Sequence, residues 1–191
     1  MKTKHFFFIS AVILAFSFVA PALADDLSVK QGGKEIYSFK KTGDGFRASS
    51  ARLFLDVAKD KAGYRLVLGG KEYRMKEKES GFKIYDSAGA MIFKIKEKED
   101  KIKILRSEND PAPWAVKLKG DHYKVMSGDK EIGKVKFYGD KKKIKVKDAK
   151  GTDICEAAAA RLYAAPAVAL FAGLREGDAL VLFAALSVLN K

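Results

Sequence analysis

The sequence predicts a mainly β fold: an antiparallel closed barrel of about 10 to 12 strands around a hydrophobic C-terminal helix. Two observations carry that expectation. Between residues 73 and 151 one unit recurs roughly every 20 residues: an apolar-and-lysine strand, a tight polar turn, and another such strand. Its copies are YRMKEKESGFKIYDSAG, IFKIKEKEDKIKILRSEN, WAVKLKGDHYKVMSGDK and VKFYGDKKKIKVKDAKG. The chain then turns to alanine, leucine and valine, and EAAAARLYAAPAVALFAG and DALVLFAALSVLNK carry almost no charge. A lysine-coated sheet and a detached apolar segment fit together if the sheet curls around the segment.

Residues 1–24 read as an export leader. Lys2 and Lys4 precede an apolar stretch over residues 6–19, Pro21 breaks it, and Ala22-Leu23-Ala24 presents small residues where a signal peptidase cuts. The apolar stretch falls short of the ~20 residues that span a bilayer, which disfavours the alternative of an uncleaved anchor. The mature chain is expected to begin at Asp25 and to form a single domain over residues 25–191, in a periplasmic or secreted location.

After the leader, LSVKQGGKEIYSFKK reads as two short strands around Gly32-Gly33, a favourable hairpin turn. Residues 46–57 support either a strand or a short helix capped by Ser49 or Ser50, and strand is preferred because GYRLVLGGKEYRMKEK resumes the hairpin pattern. From Tyr73 onward the period is two. Phe82 and Ile84, then Ile102 and Ile104, then Ile144 and Val146 alternate with charged neighbours, the pattern of strands with one buried and one wet face. The intervening turns carry Gly, Asp and Ser, and Asn109-Asp-Pro-Ala-Pro113 leads into the single tryptophan, Trp114. The strand count along the chain is about ten.

The tail is expected to change period. Residues 156–163 are alanine-rich and helix-prone, Pro166 interrupts them, and residues 168–171 are a last short strand or a second helical turn. Asp178 is the expected N-cap of a helix over residues 179–189 that is apolar on every face and must therefore be surrounded. Burial inside the barrel is preferred. The rival is an open sheet whose tail docks on a membrane.

A run of hairpins containing Ile84-Tyr-Asp-Ser-Ala-Gly89-Ala-Met-Ile-Phe93, ending in the acid-started apolar segment Asp178-Ala-Leu-Val-Leu-Phe-Ala-Ala-Leu186, resembles the tubby C-terminal-like superfamily. That family includes the tubby domain, phospholipid scramblases and LURP-one-related proteins. The resemblance implies a closed antiparallel barrel of roughly 12 strands threaded by a hydrophobic C-terminal helix. It does not carry over the tubby phosphoinositide pocket, because no basic position here matches it, and the acidic calcium-binding segment of scramblases has no counterpart.

Composition narrows the chemistry. The 37 Lys and Arg against 24 Asp and Glu give a formal charge of +13, which loss of Lys2 and Lys4 with the leader lowers to +11. Most of that charge is lysine, a hydrated point charge that serves solubility, edge protection or diffuse anion attraction better than forked phosphate recognition. Only His122 remains beyond the leader, and Cys155 is the single cysteine, so neither a metal centre nor a cofactor is expected. Cys155 reads as a small buried apolar residue; exposed, it would permit an intermolecular disulfide. Asp121-His122 reads as a solvated turn pair, and no phosphate-cradling glycine loop or catalytic set is recognisable.

The densest positive cluster is Lys141, Lys142 and Lys143, with Lys136 and Lys145 nearby. These residues are the candidate anion- or lipid-binding site. The expected function is that of an exported, non-enzymatic binding or structural protein of the cell envelope with affinity for an anionic membrane or polysaccharide surface. Nucleic acid is not an expected partner of an exported protein. The alternative is a hydrolytic enzyme with a carboxylate site that the sequence does not locate.

Overall fold

The computed structural model describes residues 26–43 and 45–189; the expected leader and its cleavage point lie outside them. Fourteen strands follow one another as a continuous antiparallel meander: β1 (Leu27–Gln31), β2 (Lys34–Thr42), β3 (Gly45–Ser50), β4 (Phe54–Asp60), β5 (Gly63–Leu68), β6 (Lys71–Lys78) and β7 (Gly81–Tyr85), then β8 (Met91–Lys98), β9 (Lys101–Leu105), β10 (Trp114–Lys119), β11 (His122–Ser127), β12 (Lys130–Tyr138), β13 (Lys143–Asp148) and β14 (Asp153–Ala158). Each pairs with its neighbours in sequence, and β14 pairs with β1 to close the barrel. A 3-10 turn, Ala165–Leu170, and a helix α1, Glu176–Val188, complete the chain.

The period-two pattern sets the two faces. Every strand sends apolar side chains inward, from Leu27 and Val29 on β1 to Cys155 and Ala157 on β14, and these join one core cluster. Outward positions on β8 to β13 are mostly lysine. A membrane-spanning barrel carries an apolar band outside and a polar lumen. Here the pattern is inverted.

A fourteen-strand barrel is too wide for its own side chains to fill, since about eight strands suffice for that. The tail supplies the filling. Residues Ala179 to Ser187 are consecutively buried, and Tyr37 stacks on Phe183 with ring centres 5.0 Å apart. The Ser187 hydroxyl donates to the Phe183 carbonyl at 2.8 Å, so the one polar side chain of the buried run is satisfied. The 3-10 turn packs against β12, β13 and β14, and Phe171 just beyond it stacks on Trp114 at 4.4 Å.

Fourteen strands exceed the expected count for two local reasons. Residues 45–60 hold two strands, because Ser50 uses its hydroxyl to accept the backbone N–H of Leu53 at 3.2 Å, while its own N–H donates to the Leu53 carbonyl at 2.9 Å. The capping capacity of that serine thus closes a turn between strands and starts no helix. The second difference corrects the helix expected over residues 156–163. Asp153–Ala158 is β14, because a barrel seam needs a strand whose backbone pairs on both sides, and sheet closure outweighs the local helical preference of the alanines.

Residues 168–170 lie in the 3-10 turn, which settles the choice for that segment in favour of a helical turn. The helix also starts earlier than expected. Arg175 holds the N-cap position without a side-chain cap, and Asp178 sits in the first turn, accepting from Arg175 Nε at 2.8 Å. Glu176, also in the first turn, accepts from the Ser50 hydroxyl at 2.7 Å, and both acids suit the positive end of the helix dipole.

Candidate anion-binding face

The β12–β13 hairpin brings the five expected lysines together. Lys136 faces Lys145 across the pair, Lys143 faces Tyr138, and Lys141 and Lys142 occupy the turn. Lys142 adopts a φ of 44°, the single positive value outside glycine among the described residues, and its carbonyl accepts from Ala159 at 2.9 Å. Lys141, Lys142 and Lys143 border a depression of about 320 Å³ shared with Lys30 and Glu156.

Three of these lysines are already engaged. Lys136 lies 3.3 Å from Asp121, Lys143 lies 2.5 Å from Glu156, and Lys145 pairs with Asp153. Among the described residues Lys141 and Lys142 show no ion pair, and both are exposed. The cluster chosen by density in sequence is therefore partly neutralised in space.

The shifted carboxylates tell the same story. Glu108 is held down to about 2 by hydrogen bonds from Lys83 and Lys94, and Asp153 to about 2 by Lys145 and Lys147. Asp121 lies below its ordinary range because His122 and Lys136 donate to it. A poised acid or base has its pKa moved toward neutrality. These are moved away from it, as ion-pair partners are.

Asp110 is the structural member of this set. Its side chain is 2 % exposed and accepts from Arg106 through the backbone N–H, Nε and Nη2, each at 2.9 Å, and from Ala112 N–H at 3.1 Å. Arg106 in turn lies 4.7 Å above Trp114, so the proline-rich loop is clamped onto the ring that stacks on Phe171. The Arg106 hydrogen bond is the largest cause that lowers Asp110 to about 2. Its folded-state value lies below the ordinary one near 4, so ionised Asp110 stabilises the barrel above about pH 4. That contribution fades as pH falls towards about 2. Asp110→Asn is expected to lower stability by about 1–2 kcal/mol at neutral pH. In thermal melts followed by circular dichroism it should also flatten the decline in Tm between about pH 4 and 2. Parallel declines in the two proteins would contradict this role.

His122 hydrogen-bonds Asp121 through Nδ1 at 3.0 Å, and the same carboxylate pairs with Lys136. Cys155 is buried, and burial pushes its thiol up to about 12, which disfavours the thiolate form that disulfide exchange uses. No group of His, Cys, Asp and Glu among the described residues is arranged to hold a metal. Another depression, of about 590 Å³, is bordered by Glu72, Arg74, Lys76, Tyr85 and Asp86, and one of about 440 Å³ lies at the N-terminal end of α1, bordered by Leu68, Tyr73, Arg175 and Asp178.

No family model matches this chain, and no curated protein or solved structure matches it.

What the sequence concealed is the lysine distribution across strands. Lys98 on β8 faces Lys101 on β9, which faces Lys117 on β10. Lys117 faces Lys124 on β11, Lys124 faces Lys134 on β12, and Lys134 faces Lys147 on β13. Only register reveals this row, although each lysine is visible in the alternating pattern.

Proposed function

We propose that this is an exported, non-enzymatic binding or structural protein of the cell envelope, which uses the outer face of β8 to β13 to hold anionic lipid or polysaccharide surfaces. The observation that carries the reading is the concentration of outward lysines on six adjacent strands, which ion pairs with Glu108, Asp121, Glu131, Asp153 and Glu156 neutralise only in part. Export rests on the leader pattern of residues 1–24. The tubby-like resemblance is part of the same proposal: the segment that carries it spans the β7–β8 hairpin, and its apolar end falls in α1. It brings no scrambling activity with it.

Co-sedimentation of the mature chain with anionic vesicles and with lipopolysaccharide across a salt series tests the reading. Binding should be strong at low salt and fall steeply as the screening length drops from about 10 Å at 0.1 M to about 3 Å at 1 M. Absence of binding to either probe at low salt would contradict it.

A further inference from the structure

Like charges directly opposite on paired strands repel and destabilise a sheet. The row Lys98, Lys101, Lys117, Lys124, Lys134, Lys147 stacks five such pairs in succession. Acids answer only part of it: Glu131 pairs with Lys124 at 2.7 Å and Asp153 with Lys147 at 2.6 Å. Lys98, Lys101, Lys117 and Lys134 have no ion pair among the described residues. The barrel neutralises a shorter row elsewhere. Lys76, Lys83 and Lys94 also face one another, but Glu108 bridges Lys83 and Lys94, and Lys76 lies over the Tyr85 ring at 5.2 Å. The long row is the exception, and it is flanked on one side by the further facing pair Lys96 and Lys103.

Resting on the anion-binding reading above, we infer that this six-lysine row is a track for one linear acidic polysaccharide lying across β8 to β13. Five inter-strand steps of ~4.8 Å make a track of roughly 24 Å. Six adjacent strands of the fourteen turn through about a third of the barrel's circumference. A planar membrane touches only the strands at its tangent, whereas a flexible chain follows the curve and meets all six. A polysaccharide bearing one carboxylate on each sugar offers charge at a spacing close to that between strands. Lysine suits such a ligand: its ammonium is a point charge that does not demand the fixed, forked geometry arginine imposes. The interaction is carried by the spacing of charge along the track.

The test compares two triple variants of equal net charge. One is Lys101→Gln/Lys117→Gln/Lys134→Gln in the row; the other is Lys34→Gln/Lys40→Gln/Lys71→Gln on the opposite part of the barrel. Binding is measured by calorimetry with oligogalacturonates of graded length and with phosphatidylglycerol-containing vesicles. Thermal melts accompany each variant, and the row triple should melt no lower than the unaltered protein, because it relieves repulsion. Affinity should rise with oligomer length until the chain covers the row, then level off. The row triple should bind about tenfold more weakly or worse, with a log–log salt slope shallower by about two, while the control triple changes little. Equal losses in both triples, or affinity independent of oligomer length, would overturn the track and leave the general anion-binding reading standing. Tighter binding to vesicles than to oligomers, lost in the row triple, would overturn the ligand class. Failure of the unaltered protein to bind either probe would sink both readings.

Discussion

Leu182→Lys is expected to leave no cooperative thermal transition. Leu182 is 0 % exposed in the middle of α1, with the helix buried on every side inside a closed wall. A lysine there loses the apolar burial of the leucine, about 2 kcal/mol, and adds an ammonium with no partner and no route to water. The effective penalty of a buried unpaired ion is several kcal/mol, against a total stability of about 5–15 kcal/mol for a domain. The same argument requires that Leu182→Met be mild, costing less than about 1.5 kcal/mol, because volume and polarity are kept. Circular dichroism melts of the two variants measure this directly. An unchanged Tm for Leu182→Lys would place the tail outside the barrel.

Gly63→Ala and Gly81→Ala rank second. These glycines open β5 and β7, the first residues of alternate hairpins, with φ of 143° and 131°. A Cβ on Gly63 would lie 2.1 Å from the Met75 carbonyl oxygen, and one on Gly81 would lie 2.2 Å from that of Ile95. Both obstacles are backbone of the neighbouring strand, so relief means shifting the sheet itself. Each substitution is expected to cost about 3 kcal/mol, combining the strained backbone with the close contact. The two sites lie two strands apart, about 10 Å, so the costs should nearly add. The double variant should then be close to unfolded. Urea titration gives the magnitudes, and a double variant that loses less than about 2 kcal/mol would show that the wall can relax there.

These expectations mark where the sequence was informative. The hairpins from β6 to β13 were legible because residues such as Phe82 and Ile84, or Ile144 and Val146, alternate cleanly with lysine, and one buried face enforces that period. The plug was legible because a helix apolar on all faces needs an enclosure. The β14 seam was not, since Glu156 and the alanines after it favour helix locally and only closure against β1 makes them strand. The split between β3 and β4 was hidden by Ser49 and Ser50, which read equally as caps.

Of the candidate site, the density of lysine was legible in the sequence, and its ion-pair partners were not. Lys141 to Lys143 are dense in sequence, yet Lys143 is paired with Glu156, and Lys136 and Lys145 also meet acids. The row from Lys98 to Lys147 is dispersed over some fifty residues of sequence. It emerges only when turn lengths and irregularities, such as the register shift between Val125 and Met126, set which residues face each other. A period-two pattern says which face a lysine occupies. It does not say which lysines are neighbours.

With α1 filling the interior, the outer lysine wall is the proposed binding surface of the barrel. Amide chemical-shift mapping of isotopically labelled protein, titrated with an oligogalacturonate at low salt, tests it most directly. The perturbed amides should lie on β8 to β13, centred on Lys101, Lys117, Lys124 and Lys134, with α1 unmoved. Perturbations centred on the depression bordered by Glu72, Arg74 and Asp86, or on the residues packed around α1, would contradict it.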